Sequence, residues 1–257
     1  MEALSVLLLV TAAFCSGFID SIVGGGGLIQ VPALFGALPH TAPATIFGTN
    51  KVASMAGTTV AFLRYLPKIA VPWRLMFIAI PLVAGGALLG AFVVTRLPAD
   101  ALRPLVPVML TAVAVYTFIN KDFGTNHLPT RLSPLRLALA LLTIGAIGFY
   151  DGFFGPGTGS FFMFVFIRLF GFDFLHAAGC ARFLNVVTNL GAVSLFAAGG
   201  HVLWQLACMM AVANVGGSWF GTRLALSRGS RFVRAVFLSV VVVLIAKTAW
   251  DAWLKTR

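Results

Sequence analysis

The chain has 257 residues, of which 60% are hydrophobic and only 10% charged, with a mean hydropathy of +0.99. Soluble domains carry about 25% charged residues, so this balance excludes a water-soluble enzyme or binding domain and implies several membrane spans of about 20 residues each. The net charge of +11 does not indicate nucleic acid, because most Lys and Arg sit in short links between apolar runs, as in membrane proteins generally.

Apolar runs and their breakers predict ten helical segments: 3–23, 28–38, 43–63, 73–95, 104–120, 135–154, 159–170, 174–198, 202–224 and 233–254. The first lacks the basic start of a signal peptide and reads as a membrane helix. Segments 28–38 and 159–170 are too short to span about 30 Å, and each directly follows a glycine cluster. The link 121–134 is the longest and most polar. It divides the chain into a first repeat, 1–120, and a second, 135–257.

A constant offset of 131 residues relates the two halves. It carries Gly17 to Gly148, Phe18 to Phe149, Asp20 to Asp151, Gly24 to Gly155, Lys51 to Arg182 and Arg103 to Arg234. The same offset superposes two GxxxG motifs, Gly86/Gly90 and Gly217/Gly221. These motifs serve helix packing, within a subunit or between the subunits of a homodimer. As one helix, residues 3–38 or 135–170 would extend about 54 Å, too long for one crossing. Each stretch therefore enters and returns as a re-entrant hairpin, and three full spans come after it. An odd number of crossings per half inverts the second half relative to the first. The expected fold is an all-α polytopic membrane protein of two inverted repeats, each of about five helical segments.

Charge sets the expected orientation. Arg64, Lys68, Arg74, Lys121, Arg131, Arg136, Arg168, Arg223, Arg228, Arg231 and Arg234 fall in links on one side, against Arg96, Arg103, Lys255 and Arg257 on the other. The richer side is cytoplasmic, which puts both termini outside.

Three bases lie within spans. Lys247 is near a helix end and can snorkel, whereas Lys51 and Arg182 lie deeper. A charge at the membrane centre costs about 2.5–3.5 kcal/mol even on insertion scales, so such groups face a cavity or a partner. Asp20 and Asp151 pose the same problem with opposite sign. Either they form packing ion pairs, Asp20 with Lys51 and Asp151 with Arg182, or the bases meet an anionic substrate while the aspartates orient them or carry protons.

The glycines bend the chain and open helix N-termini at membrane depth. Irregular backbone there is tolerated only beside protein or a water-filled cavity, and positive helix ends aimed at an anion are a transporter device. "GGGGLIQ", with Gly25, Gly26 and Gly27, and "GPGTGSF", with Gly157, Thr158 and Gly159, each begin a short helix; the alternative is close packing at a helix crossing. Thr49, Asn50 and Ser54 flank Lys51, and Asn185 and Asn189 share a helical face with Arg182. Each of these is singly compatible with interhelical hydrogen bonding. Cys15, Cys180 and Cys208 lack CxxC spacing and read as small buried hydrophobes. His40, His127, His176 and His201 are scattered at or near span ends, so no metal and no cofactor is expected.

"GFIDSIVGGGGLIQVPAL" with "GTNKVASMAGT", and "GFYDGFFGPGTGSFF" with "ARFLNVVTNLGAVSLF", resemble the sulfite exporter (TauE/SafE) family, and in particular its branch described only as probable membrane transporters. The resemblance covers essentially the whole chain. It implies a multi-pass protein of the bacterial inner membrane that exports small sulfur-containing anions such as sulfite or sulfonates. It places the family's glycine turns on Gly24–Gly27 and Gly155–Gly159 and its TNK motif on Thr49, Asn50 and Lys51. Arg182 stands where many relatives are less charged. The expected site therefore comprises Lys51, Arg182, Thr49, Asn50, Asn185, Asn189 and the two glycine turns, with Asp20 and Asp151 as ion-pair or proton-coupling groups. An anion channel and a non-transporting accessory protein are the competing readings. A membrane enzyme is disfavoured, since no nucleophile–base pair or ligand cluster emerges.

The charge asymmetry predicts that cysteines placed at Lys68 and at Arg257 are labelled from opposite sides of the membrane. Labelling of both from one side would overturn the assigned orientation.

Overall fold

A computed structural model describes residues 3–98 and 132–255. The expected segment 104–120 and nearly all of the 121–134 link, with Arg103, Lys121, His127 and Arg131, lie outside the described residues, as do Arg257 and the side chains of Arg234, Lys247 and Lys255. The described chain is helical without strands. Its helices are α1 Ala3–Val23, α2 Gly27–Ala37, α3 Pro43–Tyr65, α4 Trp73–Arg96, α5 Pro134–Phe153, α6 Thr158–Phe170, α7 Phe174–Ala198 and α8 Trp204–Lys255. Pro43 and Pro134 open α3 and α5, where a missing N–H costs nothing. Asp173 caps α7 by accepting the His176 N–H at 2.8 Å, and Gly171 ends α6 in a left-handed conformation.

Seven of these helices begin and end within two residues of expectation, and the eighth differs. Segments 202–224 and 233–254 are not separated by a loop, because the chain stays helical from Trp204 to Lys255 and breaks only at Gly229 (φ 72°, ψ −170°). Arg223, Arg228 and Arg231 therefore lie on helix. One glycine that can adopt this conformation suffices to redirect a helix without a link.

Four described helices are long and apolar enough to cross a membrane: Leu4–Val23, Trp73–Arg96, Pro134–Phe153 and Phe174–Ala198. α7 is the central one, 61% buried over its most apolar stretch, against 33% for α4 and 28% for α5. α3 crosses it in antiparallel fashion. Gly48 lies against Phe196 and the His201 carbonyl at one end, the Phe62 and Phe183 rings are 5.2 Å apart further along, and Gly179 meets Tyr65 and Ile69 at the other end.

Both short helices fold back on the helix before them. Gly26 returns to lie against Ser16 and Asp20, and Leu34 of α2 packs with Leu9 and Ala13 of α1. In the second half the Tyr150 and Phe161 rings are 5.4 Å apart, and the Tyr150 hydroxyl donates to the Pro156 carbonyl at 2.6 Å. The two hairpin tips meet at Gly24, whose φ of +84° and contact with the Gly159–Ser160 backbone leave no room for a side chain.

The GxxxG motifs act within the chain, and they join one half to the other. Gly86 and Gly90 of α4 lie against Gly145, Phe149, Gly152 and Phe153 of α5. Gly217 and Gly221 of α8 lie against Phe14, Phe18 and Ser21 of α1. The Phe149 carbonyl at Gly90 and the Phe18 carbonyl at Gly221 are related by the same 131-residue offset as the glycines, so the contacts repeat with the sequence. Basic residues gather at one end of the bundle, where Arg64 and Arg223 both stack on Trp219, 4.5 and 5.6 Å from its ring centre.

A side chain at Gly90 would collide with α5 backbone, whereas Gly85 has nothing within 4 Å. Gly90→Leu should lower the thermal unfolding midpoint in detergent, with a cost of about 1–3 kcal/mol or more, and Gly85→Leu should not.

Candidate functional site

A small polar cavity opens where the α3–α7 crossing meets the hairpin tips. Its walls are Asp20, Gly24 and Gly27 of the first hairpin, Asp151, Gly155, Gly157, Thr158 and Gly159 of the second, Asn50, Lys51, Ser54 and Thr58 of α3, and Asn185 and Asn189 of α7. The volume is about 30 Å³, enough for one or two water molecules. Lys51, Ser54 and Thr58 reach it together because residues at i, i+3 and i+7 share a helix face.

The buried bases are partnered differently from the packing alternative. Lys51 Nζ lies 2.7 Å from Asp151 Oδ1, both side chains almost wholly buried, so the ion pair joins the two halves. The pairs Asp20–Lys51 and Asp151–Arg182 do not form. Asp20 instead accepts the Gly26 N–H on Oδ1 and the Thr58 hydroxyl on Oδ2, each at 3.3 Å. The physical reason is the hairpin, which folds Gly26 back onto α1 and gives Asp20 an open backbone donor close to α2's start. Its counterpart Asp151 does not cap α6 and turns to Lys51.

Arg182 is fully buried, and none of its three guanidinium nitrogens has a hydrogen-bond partner among the described residues. Gly159 separates it from the cavity: a β-carbon there would stand 2.8 Å from Arg182 Nη1 and 3.0 Å from Asn185 Nδ2. The backbone of α6's first turn and these donors thus converge on one place. Unpaired buried charge is costly, so this corner is incomplete as it stands.

Of the residues singled out in the sequence, Lys51, Asn50, Asn185, Asn189, Gly27, Gly157, Thr158, Gly159, Asp20 and Asp151 line the cavity, whereas Thr49, Gly25, Gly26 and Arg182 do not. Thr49 Oγ1 donates to the Thr45 carbonyl and accepts the Leu203 N–H, which ties α3 to the start of α8. Gly26 is spent on Asp20. Thr58 escaped the sequence reading, although its spacing of seven from Lys51 places it on the same face. A second buried polar cluster was also missed: Asn214 donates to Gln30 at 3.0 Å and Ser218 to the Gly17 carbonyl at 3.2 Å. Asn214 and Ser218 share one face of α8, but Gln30 and Gly17 are distant in sequence and join them only in the fold.

Among the described residues no group of three His, Cys, Asp or Glu could hold a metal ion. Cys180 is buried, but Cys15 and Cys208 are exposed on α1 and α8, correcting the expectation that all three are interior.

The profile of the family described as "Sulfite exporter TauE/SafE" matches residues 9–248. The chain belongs to the TauE/SafE family. It is 37% identical over 244 residues to "Probable membrane transporter protein ORF9" of Sinorhizobium sp, covering 95% of this chain and 92% of the relative. It is 35% identical over 249 residues to "Probable membrane transporter protein YfcA" of Escherichia coli K12, covering 97% and 90%. A "Probable membrane transporter protein" of Haemophilus influenzae is 33% identical over 251 residues, covering 98% and 96%. No solved structure matches the chain. These TauE/SafE relatives are named as transporters, so the polar cavity belongs to a membrane transporter family and not to an enzyme family.

Removing one member of the cross-half ion pair leaves a buried charge, at a cost of about 3–5 kcal/mol. Lys51→Met and Asp151→Leu should each lower the unfolding midpoint in detergent, and the double variant should recover much of the loss. A double variant as unstable as the sum of the singles would rule out direct coupling.

Proposed function

We propose that the protein is a secondary transporter of the bacterial inner membrane, exporting a small sulfur-containing anion such as sulfite or an organosulfonate by alternating access. The observation that carries this reading is Arg182, a buried guanidinium without a protein partner among the described residues, set behind Gly159 at the start of α6. A planar guanidinium presents paired donors that fit two oxygens of a sulfonate or sulfite. The adjoining helix N-terminus adds unfilled N–H groups and a positive end. Asp20 already occupies the corresponding start of α2, so the anion is assigned to the second hairpin, with Lys51 as a second positive group across the cavity.

The sulfur chemistry rests on the family description and the bacterial inner membrane on the organisms of the relatives. The repeated contacts and returning hairpins support two inverted halves, with the basic end of the bundle facing the cytoplasm. Because glycines lock α1 to α8 and α4 to α5, each close-packed pair contains one helix from each half. Alternating access then moves these mixed pairs against each other.

Calorimetric titration with sulfite and with sulfoacetate tests the site. Arg182→Ala should lose about 1.5–3 kcal/mol of affinity, Arg182→Lys should lose less, and Lys51→Ala should also bind more weakly. Wild-type affinity in both alanine variants would place the anion elsewhere.

A further inference from the structure

An anion that enters between Arg182 and Lys51 must separate groups that now touch. The contact that fills the space beside Gly155 is the Lys51–Asp151 pair: a β-carbon there would lie 3.0 Å from Lys51 Nζ and 3.3 Å from Asp151 Oδ1. An anion held between Arg182 and Lys51 therefore competes with Asp151 for the lysine.

The surrounding charges decide how the cavity stays neutral when that happens. Asp151 is faced by Lys51 from α3, while Asp20 from α1 lines the same cavity and Arg182 from α7 stands behind its wall. Tyr150 precedes it on α5, and Thr158 and the glycines of α6 complete the wall. α4 meets α5 at this level through Ala87 and Gly90. Two carboxylates and two bases balance, so an entering monoanion leaves one negative charge in excess at membrane depth. Such a charge is strongly disfavoured there, and protonation removes it. The two aspartates are not equivalent acceptors of that proton. Asp20 keeps a donor on each oxygen whatever Lys51 does. Asp151 has Lys51 on Oδ1 and nothing on its buried Oδ2, so losing the lysine strips it of every described donor.

We infer that the anion crosses together with one proton, carried on Asp151 after the anion draws Lys51 away from it. This rests on the anion reading above and adds the coupled ion. The proton comes from the aqueous side to which the cavity is open, binds a carboxylate oxygen, and leaves on the opposite side when the anion departs and Lys51 returns. The neutral carboxyl can meanwhile donate its O–H to the anion. For a monoanion the cycle carries no net charge, and export requires the anion gradient to exceed any opposing proton gradient.

The full chain in proteoliposomes with a trapped pH dye tests this, with methanesulfonate as the probe, since a sulfonate does not itself titrate near neutrality. Inward sulfonate flux should acidify the lumen by one proton per anion, and an imposed potassium–valinomycin potential should leave the rate unchanged. A tenfold proton gradient should accumulate sulfonate about tenfold, the equal and opposite gradient that balances it. Asp151→Asn should drop the proton-to-sulfonate ratio to near zero at whatever exchange rate remains, while Asp20→Asn keeps the ratio near one. Asp151→Glu, which retains a carboxyl, should stay coupled with a displaced pH profile. Sulfonate flux in the wild type without acidification, or driven by potential, overturns the coupling and leaves the anion reading standing. An unchanged ratio in Asp151→Asn overturns the assignment to Asp151. Absence of both fluxes in the wild type overturns the anion reading and the coupling with it.

Discussion

Three charged side chains buried in an apolar bundle, Lys51, Asp151 and Arg182, with the half-buried Asp20 beside them, set the terms for everything around them. Lys51 and Asp151 satisfy each other at 2.7 Å, and they do so across the two halves. Removing either strands the other in a low-dielectric interior, at a cost of several kcal/mol. The α3–α7 crossing and the second hairpin must therefore keep their relative placement for the pair to survive. An ion pair is a poor way merely to hold helices together, since apolar residues of similar volume do so as well or better. Both of its members line the polar cavity.

The asymmetry between the halves is as informative as their likeness. Equivalent aspartates have different employments: one caps its hairpin helix and the other holds a base from the opposite half. Equivalent bases differ too, Lys51 being paired while Arg182 has no described partner. Under a two-fold relation, the partner of Arg182 would be Asp20. The two copies of the repeated motif thus hold different pairings in one structure.

Close packing explains why the glycines recur so regularly. At the α4–α5 and α1–α8 contacts the backbone of one helix occupies the space a side chain would need on the other. In lipid there is little hydrophobic drive between helices, and close backbone approach supplies dispersion contacts instead. The same residue type does different work at Gly24 and Gly155, where positive φ lets the chain reverse at membrane depth. Those reversals create the helix ends around the cavity.

Much of this was legible in the chain itself. Hydropathy and breakers located α1 to α7 because burial in lipid imposes length and composition on every span. The 131-residue offset exposed the paired glycines and charges, and the short segments after Gly27 and Gly157 implied returning hairpins. Lys51, Asp20 and Asp151 stood out because charge at membrane depth needs a reason. Pairing was not legible. Offset arithmetic treats each half alike and suggested partners within it, whereas the helices interleave across halves and bring Lys51 to Asp151. The fold-back of Gly26 gave Asp20 a backbone donor that no side-chain pattern announces. Arg182 is left without Asp151, its partner in the packing alternative, because Lys51 takes that carboxylate. Thr49 was diverted to the start of α8, and Thr58 was drawn into the cavity, by the angle at which α3 meets its neighbours. Sequence determined which segments enter the membrane and which charges go with them, because solvation acts on each segment separately. Only tertiary structure decided which charges meet, because at a few ångströms partner choice depends on how helices distant in sequence cross.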